Sequence, residues 1–236
     1  MTAERLDKLI ADSGLYSRSE ARSLVKCGRV TVDGETVRAP ERRFKRNCAV
    51  AVDGTELNCS KYRYFMLDKP AGYVCANEDR SLPTVLELLP EEYRGLGLFT
   101  VGRLDRDTTG MLLLTNDGDL AHRILSPRHG VWKRYYAEHE GTAGPADVRA
   151  FEAGLVLADG LHCLPAKLTP LGPGRSVVEV QEGKYHQVRR MLASRGLPVT
   201  YLRREAEGRL TLGDLPLGQT KELNIVEAEQ LLLNIL

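Results

Sequence analysis

The spacing of apolar residues in the first sixty positions predicts two short amphipathic helices followed by small hairpins. Apolar side chains recur at the i, i+3, i+4 interval of a helix face, at Leu6, Leu9 and Ile10 and again at Ala21, Leu24 and Val25. The capping-box pair Ser17 and Glu20 predicts the start of the second helix, and Gly28 predicts its end. Alternating segments at Val30–Val32 and at residues 36–38 flank an Asp-Gly dipeptide, which is typical of a tight hairpin, and a similar pair flanks the next Asp-Gly.

The rest of the chain alternates strands with short helices. A strand at residues 63–67 is predicted to enter a turn at 68–72, and the apolar run at 111–114 predicts a buried strand. Caps, prolines and glycines predict a strand at 177–181 and helices at 84–89, 119–125, 146–154, 182–196 and from about 227 onward. The polar segment 57–61 (LNCSK) has no periodicity, which predicts a linker between a small N-terminal module and a larger body.

A polar loop, GRLDRDTTG at residues 102–110, directly precedes the buried strand at 111–114. Asp105 lies between Arg103 and Arg106, and nearby positive charge keeps a carboxylate ionised. An ionised carboxylate can attack an electrophile or take a proton. The alternative is a solvated surface loop whose ion pairs contribute little. The predicted helix ending at Gly196 would bring a basic face toward such a carboxylate, formed by His186, Arg189 and Arg190 opposite the apolar Val188, Met191 and Leu192.

Composition is that of an ordinary soluble protein. The 236 residues are 42% apolar and 28% charged, and no apolar run approaches the roughly 20 residues of a membrane span. The first residues, MTAERLDKL, do not have the pattern of a targeting peptide, so we expect a cytoplasmic protein that contacts no membrane. The five cysteines are odd in number and form no C-x-x-C pair, which argues against a disulfide framework and against a zinc site.

The formal net charge of +1 means that a nucleic-acid partner would have to be bound by local basic patches. One candidate is the outer face of the second predicted helix, where Arg18, Arg22 and Lys26 fall within about 80° and Arg29 follows the helix end. A charge stripe on an exposed helix is also what a merely solvated face looks like. A basic cluster at residues 42–46 could extend the same surface.

Four segments of the chain resemble pseudouridine synthases of the RsuA and RluB type. They are the loop GRLDRDTTG with the following MLLLT, the segment YFMLDKPAGYVC, the Lys133-x-Tyr135 pair in SPRHGVWKRYYAEHEG, and EGKYHQVRRMLASRG, which fits the pattern G-[KR]-x-H-Q-[VI]-[RK]. The N-terminal RLDKLI and SRSEARSLVKCGRVTVDGE are similar to the small S4 RNA-binding domain. The resemblance covers nearly the whole chain. One departure is Glu207 in LRREAEGRLTL, where an apolar residue is common.

The resemblance implies an α+β fold in two parts. Residues 1–59 would form the S4-like domain. Residues 60–236 would form the catalytic domain, with a mixed, mostly antiparallel sheet and flanking helices. The implied activity is the isomerisation of uridine to pseudouridine after base flipping, which requires neither a cofactor nor a metal.

The resemblance also implies residue roles. Asp105 would be catalytic, Tyr135 would stack on the target base, and Arg189 would pair with Asp105. Arg103 would hold the displaced phosphate or fill the vacated stack, and the other substrate-binding positions are Lys133, Lys184 and Gln187. His186 would have a structural or RNA-contacting part, while Arg18, Arg22, Lys26 and Arg29 would contact RNA phosphates. No role follows for His129 or Trp132.

The implied substrate is ribosomal RNA. Among family members the resemblance is greatest to enzymes of 16S ribosomal RNA uridine 516, and 23S synthases of the RluB, RluE or RluF type are the alternative. A non-catalytic RNA-binding ribosome assembly factor is a second alternative. Several questions stay open at this point: whether Asp105 attacks the ribose, attacks the ring or removes a proton, whether the substrate is free RNA or an assembled particle, and the oligomeric state.

Overall fold

The computed structural model describes residues 3–233 and divides the chain into two compact units. The N-terminal unit comprises the chain up to Arg63 together with Leu89–Leu98, and the second unit comprises Tyr64–Leu88 and the chain from Phe99 onward. The predicted domain boundary at residue 60 stays a prediction. In residues 3–233 no helix is long and apolar enough to cross a bilayer.

The described residues of the N-terminal unit form three helices and six short strands. The helices are α1 (Leu6–Ala11), α2 (Arg18–Lys26) and α3 (Glu91–Arg94). The strands are β1 (Glu4–Arg5), β2 (Val30–Val32), β3 (Glu35–Thr36), β4 (Arg43–Phe44), β5 (Val50–Val52) and β6 (Thr55–Glu56). An antiparallel sheet has the order β3-β2-β5-β6, and β1 pairs with β4.

The predicted start of the second helix is confirmed, because the Ser17 hydroxyl accepts from the Glu20 amide and the Glu20 carboxylate accepts from the Ser17 amide. The predicted apolar faces of α1 and α2 are buried together with the valines of β2 and β5. The strand predicted at residues 36–38 is displaced, since β3 ends at Thr36.

The second unit is built on a nine-stranded sheet. Its strands are β7 (Tyr64–Lys69), β8 (Phe99–Val101), β9 (Thr109–Thr115), β10 (Lys133–His139), β11 (Lys167–Gly172), β12 (Arg175–Val180), β13 (Val199–Glu207), β14 (Leu210–Thr211) and β15 (Thr220–Leu223). The order is β11-β12-β10-β13-β9-β7-β15, with β14 on β13 and β8 on β9. Among the pairings between these described strands, only that of β13 with β9 is parallel. The predicted α+β class and the mixed, mostly antiparallel sheet are therefore confirmed.

Four helices flank this sheet, namely α4 (Gly118–Leu125), α5 (Pro145–Ala153), α6 (Gln187–Ala193) and α7 (Ile225–Glu229). Single 3₁₀ turns occupy Val85–Leu88, Pro127–His129 and Gln230–Leu232. The helix predicted at 84–89 is therefore only a 3₁₀ turn. The terminal helix predicted from about residue 227 begins at Ile225, and residues 234–236 lie outside the described part.

Gly110 determines how closely β9 and β13 approach each other. It lies at φ +104° and pairs with Arg204 across the parallel strands. A Cβ atom at this position would lie 2.2 Å from the Arg204 carbonyl oxygen. Only glycine combines this conformation with this approach, so the end of the GRLDRDTTG segment is held against the centre of the sheet.

We expect Gly110→Ala to lower the free energy of unfolding by on the order of 3 kcal/mol, because it adds a backbone clash to an unfavourable φ. Gly72→Ala is the matched control, since Gly72 lies at φ +94° and nothing lies within 4 Å of its added Cβ. Urea unfolding of the two variants measures the difference. Equal losses of stability would show that conformation alone, and not the strand approach, requires glycine at position 110.

Candidate active site

The segment that carries Asp105 connects β8 with the buried strand β9. It leaves β8 at Gly102, which lies at φ +75°, and enters β9 at Thr109. The Thr108 amide donates to the Asp105 carbonyl oxygen at 3.1 Å, which closes a turn after the aspartate. All seven residues of β9 are buried, as the apolar run predicted. The ends of the segment are therefore fixed, and the Asp105 side chain remains 31% exposed at its apex.

Asp105 borders two adjoining cavities. The inner one is small, about 70 Å³, and is lined also by Arg103, Leu104, Tyr135 and Leu202. Tyr135 lies on β10, is 8% exposed, and places its aromatic ring in this inner cavity. Burial raises the pKa of the Tyr135 phenol. The ring is thus an uncharged, largely enclosed flat surface near a carboxylate.

The outer cavity is about 630 Å³, which lies within the range of typical ligand sites. Arg103, Asp105 and His186 border both cavities, whereas Arg106 and Tyr185 border only the outer one. The outer cavity therefore places guanidinium groups and an aromatic ring around the Asp105 carboxylate.

His186 is the ionisable side chain that approaches Asp105. Its Nε2 atom lies 3.4 Å from Asp105 Oδ1. His186 has φ +48° and ψ +32°, a left-handed conformation that is rare for a residue other than glycine, and it precedes the first residue of α6. Its ring stacks on Tyr185 with centroids 3.9 Å apart and 17° between the planes.

The predicted pairing of Arg189 with Asp105 is wrong. Arg189 Nη2 lies 2.9 Å from Asp107 Oδ2 and 3.5 Å from Thr108 Oγ1. The prediction assumed a helix that includes residue 186 and turns His186 and Arg189 to the same side. Because α6 begins only at Gln187, the left-handed turn points His186 at Asp105, and Arg189 contacts the same segment beyond Asp105.

Comparisons with known proteins agree with this geometry. A family model described as RNA pseudouridylate synthase matches residues 63–194, and an S4 domain model matches residues 4–47. The chain is 39% identical to "Uncharacterized RNA pseudouridine synthase YtzG" of Bacillus subtilis (strain 168), over 98% of each chain. The chain belongs to the RNA pseudouridylate synthase family.

Further relatives support this assignment. The synthase is 41% identical over 222 residues to ribosomal small subunit pseudouridine synthase A of Escherichia coli (strain K12), covering 93% of this chain and 96% of the relative. It also superposes on a crystal structure of a pseudouridylate synthase with a TM-score of 0.68 at 34% identity, covering 97% of this chain and 99% of that one. The predicted family, the RsuA type within it and the predicted S4 module are confirmed.

Lys69 is a residue of this site that sequence reasoning missed. It ends β7, is fully buried, and its ammonium group lies within hydrogen-bond distance of four carbonyl oxygens, those of Pro70 (3.1 Å), Asp105 (3.1 Å), Arg106 (3.2 Å) and Thr108 (2.9 Å). Burial lowers the pKa of Lys69. The sequence signal is an Asp-Lys pair at the end of the strand YFMLDK, whose first four residues are apolar or aromatic, where the pattern of turn residues predicts only a turn.

Lys133 lies outside the linings of both cavities. Its Nζ atom is 3.5 Å from Glu207 Oε1, and Arg204 Nη2 is 3.6 Å from Glu207 Oε2. Glu207 and Arg204 are almost fully buried, and burial lowers the pKa of Lys133. Glu207 replaces the apolar residue usual in the family, and it supplies the negative charge that two buried cations require.

Lys184 and Gln187 border the inner cavity, but their polar groups have partners within the synthase. Lys184 Nζ pairs with Glu182 at 2.7 Å and donates to the His162 carbonyl oxygen. The Gln187 side chain accepts from the Lys184 amide at 3.0 Å and donates to Glu182 at 2.7 Å. These bonds tie both side chains to the segment before α6, and the part of the two residues in substrate binding stays a prediction.

The cations predicted to contact RNA are exposed on the N-terminal unit, at Arg18, Arg22, Lys26 and Arg29. The carboxylate of the buried Asp7 accepts from Arg22 Nε at 2.9 Å and lies 3.6 Å from Arg18 Nη2. Burial would raise the pKa of Asp7, but hydrogen bonds from Arg5 and Arg22 lower it to about 2. Arg29 pairs with Asp53.

Arg46, in the basic cluster predicted at residues 42–46, is mostly buried and pairs with Glu4 and Asp12. Arg46 therefore does not extend the basic face of the N-terminal unit.

We expect Lys69→Met to reduce turnover by a factor of about 10 to 100, because the carbonyl oxygens around Asp105 lose their common donor and the segment shifts. Lys221→Met is the control, since Lys221 forms a surface ion pair with Glu227 in the same unit. Single-turnover rates and circular dichroism measure activity and folding in both variants. A folded Lys69→Met protein with full turnover would contradict the positioning role of Lys69.

Proposed function

We propose that this synthase converts a uridine of ribosomal RNA into pseudouridine, with Asp105 as the catalytic group. The observation that carries the proposal is the position of Asp105, which borders both cavities. Tyr135 lines the inner cavity with it, and the His186 imidazole approaches its carboxylate. Similarity to a ribosomal small subunit pseudouridine synthase over 93% of the chain supports a ribosomal substrate. The matching S4 domain model supports binding of RNA.

The proposed target within ribosomal RNA is uridine 516 of the 16S RNA, in free RNA or in a partly assembled small subunit. The similarity to a small subunit enzyme supports this choice. Recognition of such a site would depend on an unpaired or extruded uridine within a structured RNA.

The reaction itself is an isomerisation. The bond between uracil N1 and ribose C1′ breaks, the ring turns, and a bond forms between C5 and C1′. C5 loses a proton and N1 gains one, so atoms and electrons balance without an oxidant, a reductant or a leaving group. A carboxylate can serve by attacking the ribose or the ring, or by removing a sugar proton, and each role needs Asp105 as an anion.

The uridine must leave its helical stack before a carboxylate can reach it. The enclosed ring of Tyr135 supports its assignment as the surface on which the uracil stacks. Arg103 borders both cavities and is assigned to the displaced phosphate or to the vacated stack.

Other residues would act on the site from outside the cavities. We assign Lys133 to the support of β10 through Glu207, and Arg189 to the support of the catalytic segment through Asp107. In the N-terminal unit, the exposed Arg18, Arg22, Lys26 and Arg29 would contact RNA phosphates, which gives affinity and salt dependence without reading the base sequence.

We expect Asp105→Asn to abolish turnover, because the amide keeps the shape of the side chain but removes the anion. The matched control is Asp214→Asn, an exposed carboxylate of the same unit that borders neither cavity, where turnover should change by less than about fivefold. Tritium release from [5-³H]uridine RNA measures turnover, and a filter-binding assay measures retained RNA affinity. Tritium release by Asp105→Asn would refute the catalytic assignment. Tight binding without release by the unmodified protein would favour the assembly factor.

Deletion of this protein in its own cell should remove pseudouridine at position 516 of 16S ribosomal RNA and leave other pseudouridines in place. Chemical mapping of 16S and 23S RNA, with a strain re-expressing the protein and a strain re-expressing Asp105→Asn, measures this. Loss of a 23S pseudouridine instead would overturn the proposed target while keeping the proposed chemistry.

A further inference from the structure

Tyr185 has an exposure that folding alone does not explain. Tyr185 is 76% exposed, which is the highest exposure of any large hydrophobic residue within residues 3–233. It nevertheless borders the outer cavity beside Asp105. An aromatic ring that remains in water next to a catalytic group is typical of a binding surface.

The ring of Tyr185 is held in place from one side. It stacks on His186 at 3.9 Å and 17°, and His186 in turn lies 3.4 Å from the Asp105 carboxylate. His186 adopts the rare left-handed conformation that allows this arrangement. The imidazole therefore covers one face of the Tyr185 ring. The high exposure of Tyr185 leaves the other face open, and only the His186 side chain separates the ring from the Asp105 carboxylate.

The surroundings of the open face suit a nucleic-acid strand. Arg103 and Arg106 border the same cavity and provide charges for phosphates, while Asp105 and Asp107 are the anions there. A planar aromatic surface next to guanidinium groups is the combination by which proteins bind unpaired bases of single-stranded RNA.

We propose that the Tyr185–His186 stack is a subsite for the unpaired nucleobase that neighbours the target uridine in the RNA strand. The proposal rests on the proposed function, because it takes the strand that brings a uridine to Asp105 as the occupant. Stacking on Tyr185 holds the neighbouring nucleotide while the target uridine lies at Asp105 with its base toward Tyr135. Because every base has an aromatic face, the subsite requires an unpaired neighbour and tolerates its identity.

The kinetic test compares Tyr185→Phe, which keeps the aromatic face, with Tyr185→Leu, which keeps an apolar side chain without it. We expect Tyr185→Leu to raise KM roughly 5- to 150-fold, the usual range for losing one base stack, with kcat within about twofold. Tyr185→Phe should behave like the unmodified protein. A fall in kcat with unchanged KM would overturn the proposal, because it would show that Tyr185 acts only by orienting His186.

A substrate change tests the same contact from the RNA side. In a 16S fragment containing uridine 516, an abasic nucleotide placed on one side of the uridine, 5′ or 3′, should raise KM of the unmodified protein by a similar factor. The same abasic RNA should cost Tyr185→Leu little further, because the contact is already lost. If the abasic nucleotide raised KM of Tyr185→Leu by the same factor as that of the unmodified protein, at the 5′ and at the 3′ position alike, the assigned occupant would be contradicted.

A binding measurement separates this proposal from the proposed function. An unstructured RNA with 2-aminopurine on both sides of one uridine is mixed with three proteins: Asp105→Asn alone, Asp105→Asn with Tyr185→Phe, and Asp105→Asn with Tyr185→Leu. Stacking should quench the fluorescence in the first two proteins and leave it bright in the third. Equal quenching in all three proteins would overturn the subsite. If the unmodified protein releases no tritium from ribosomal RNA but quenching follows the aromatic ring, the proposed function fails and the subsite stands.

Discussion

A buried ammonium group holds the segment that carries Asp105 in place. Lys69 donates to the carbonyl oxygens of Asp105 and of two residues that follow it, Arg106 and Thr108, and it does so with no exposure to solvent. Carbonyl dipoles that converge in the interior need a donor, and an ammonium group can serve several of them with three protons. Because the segment is held through its backbone, the Asp105 side chain stays available in the cavity. The same contacts explain how an exposed carboxylate can have a defined position.

Two further groups of ion pairs lie next to the site. The buried Glu207 carboxylate lies close to both the Lys133 ammonium and the Arg204 guanidinium. The three charges therefore partly neutralise one another in the interior. Beside the segment, Arg189 binds Asp107. The cations predicted for substrate binding differ in their surroundings. Arg103 borders both cavities, Lys133 and Arg189 form ion pairs away from the cavity linings, and Lys184 both borders the cavities and pairs with Glu182.

Local patterns predict much of this structure for a physical reason. The capping box at Ser17 and the fully buried strand β9 follow from neighbouring residues, because caps and strand burial depend on contacts within a few positions. For α6 the pattern predicts a helix that is too long, and it predicts Asp105 as the partner of Arg189, whereas Arg189 pairs with Asp107. Periodicity does not reveal that one residue, His186, leaves the helical region, and that single φ angle decides which side chain faces Asp105.

The family, the two modules, the α+β class and the places of Asp105 and Tyr135 within their motifs follow from the order of residues alone, because each is carried by a contiguous segment. Which side chains meet is set by the folded chain. Lys69 donates to carbonyl oxygens 36 to 39 residues later in the chain, and His186 reaches Asp105 from a different element. Such contacts depend on strand register and on individual backbone angles, and a one-dimensional pattern of residue types does not contain these quantities.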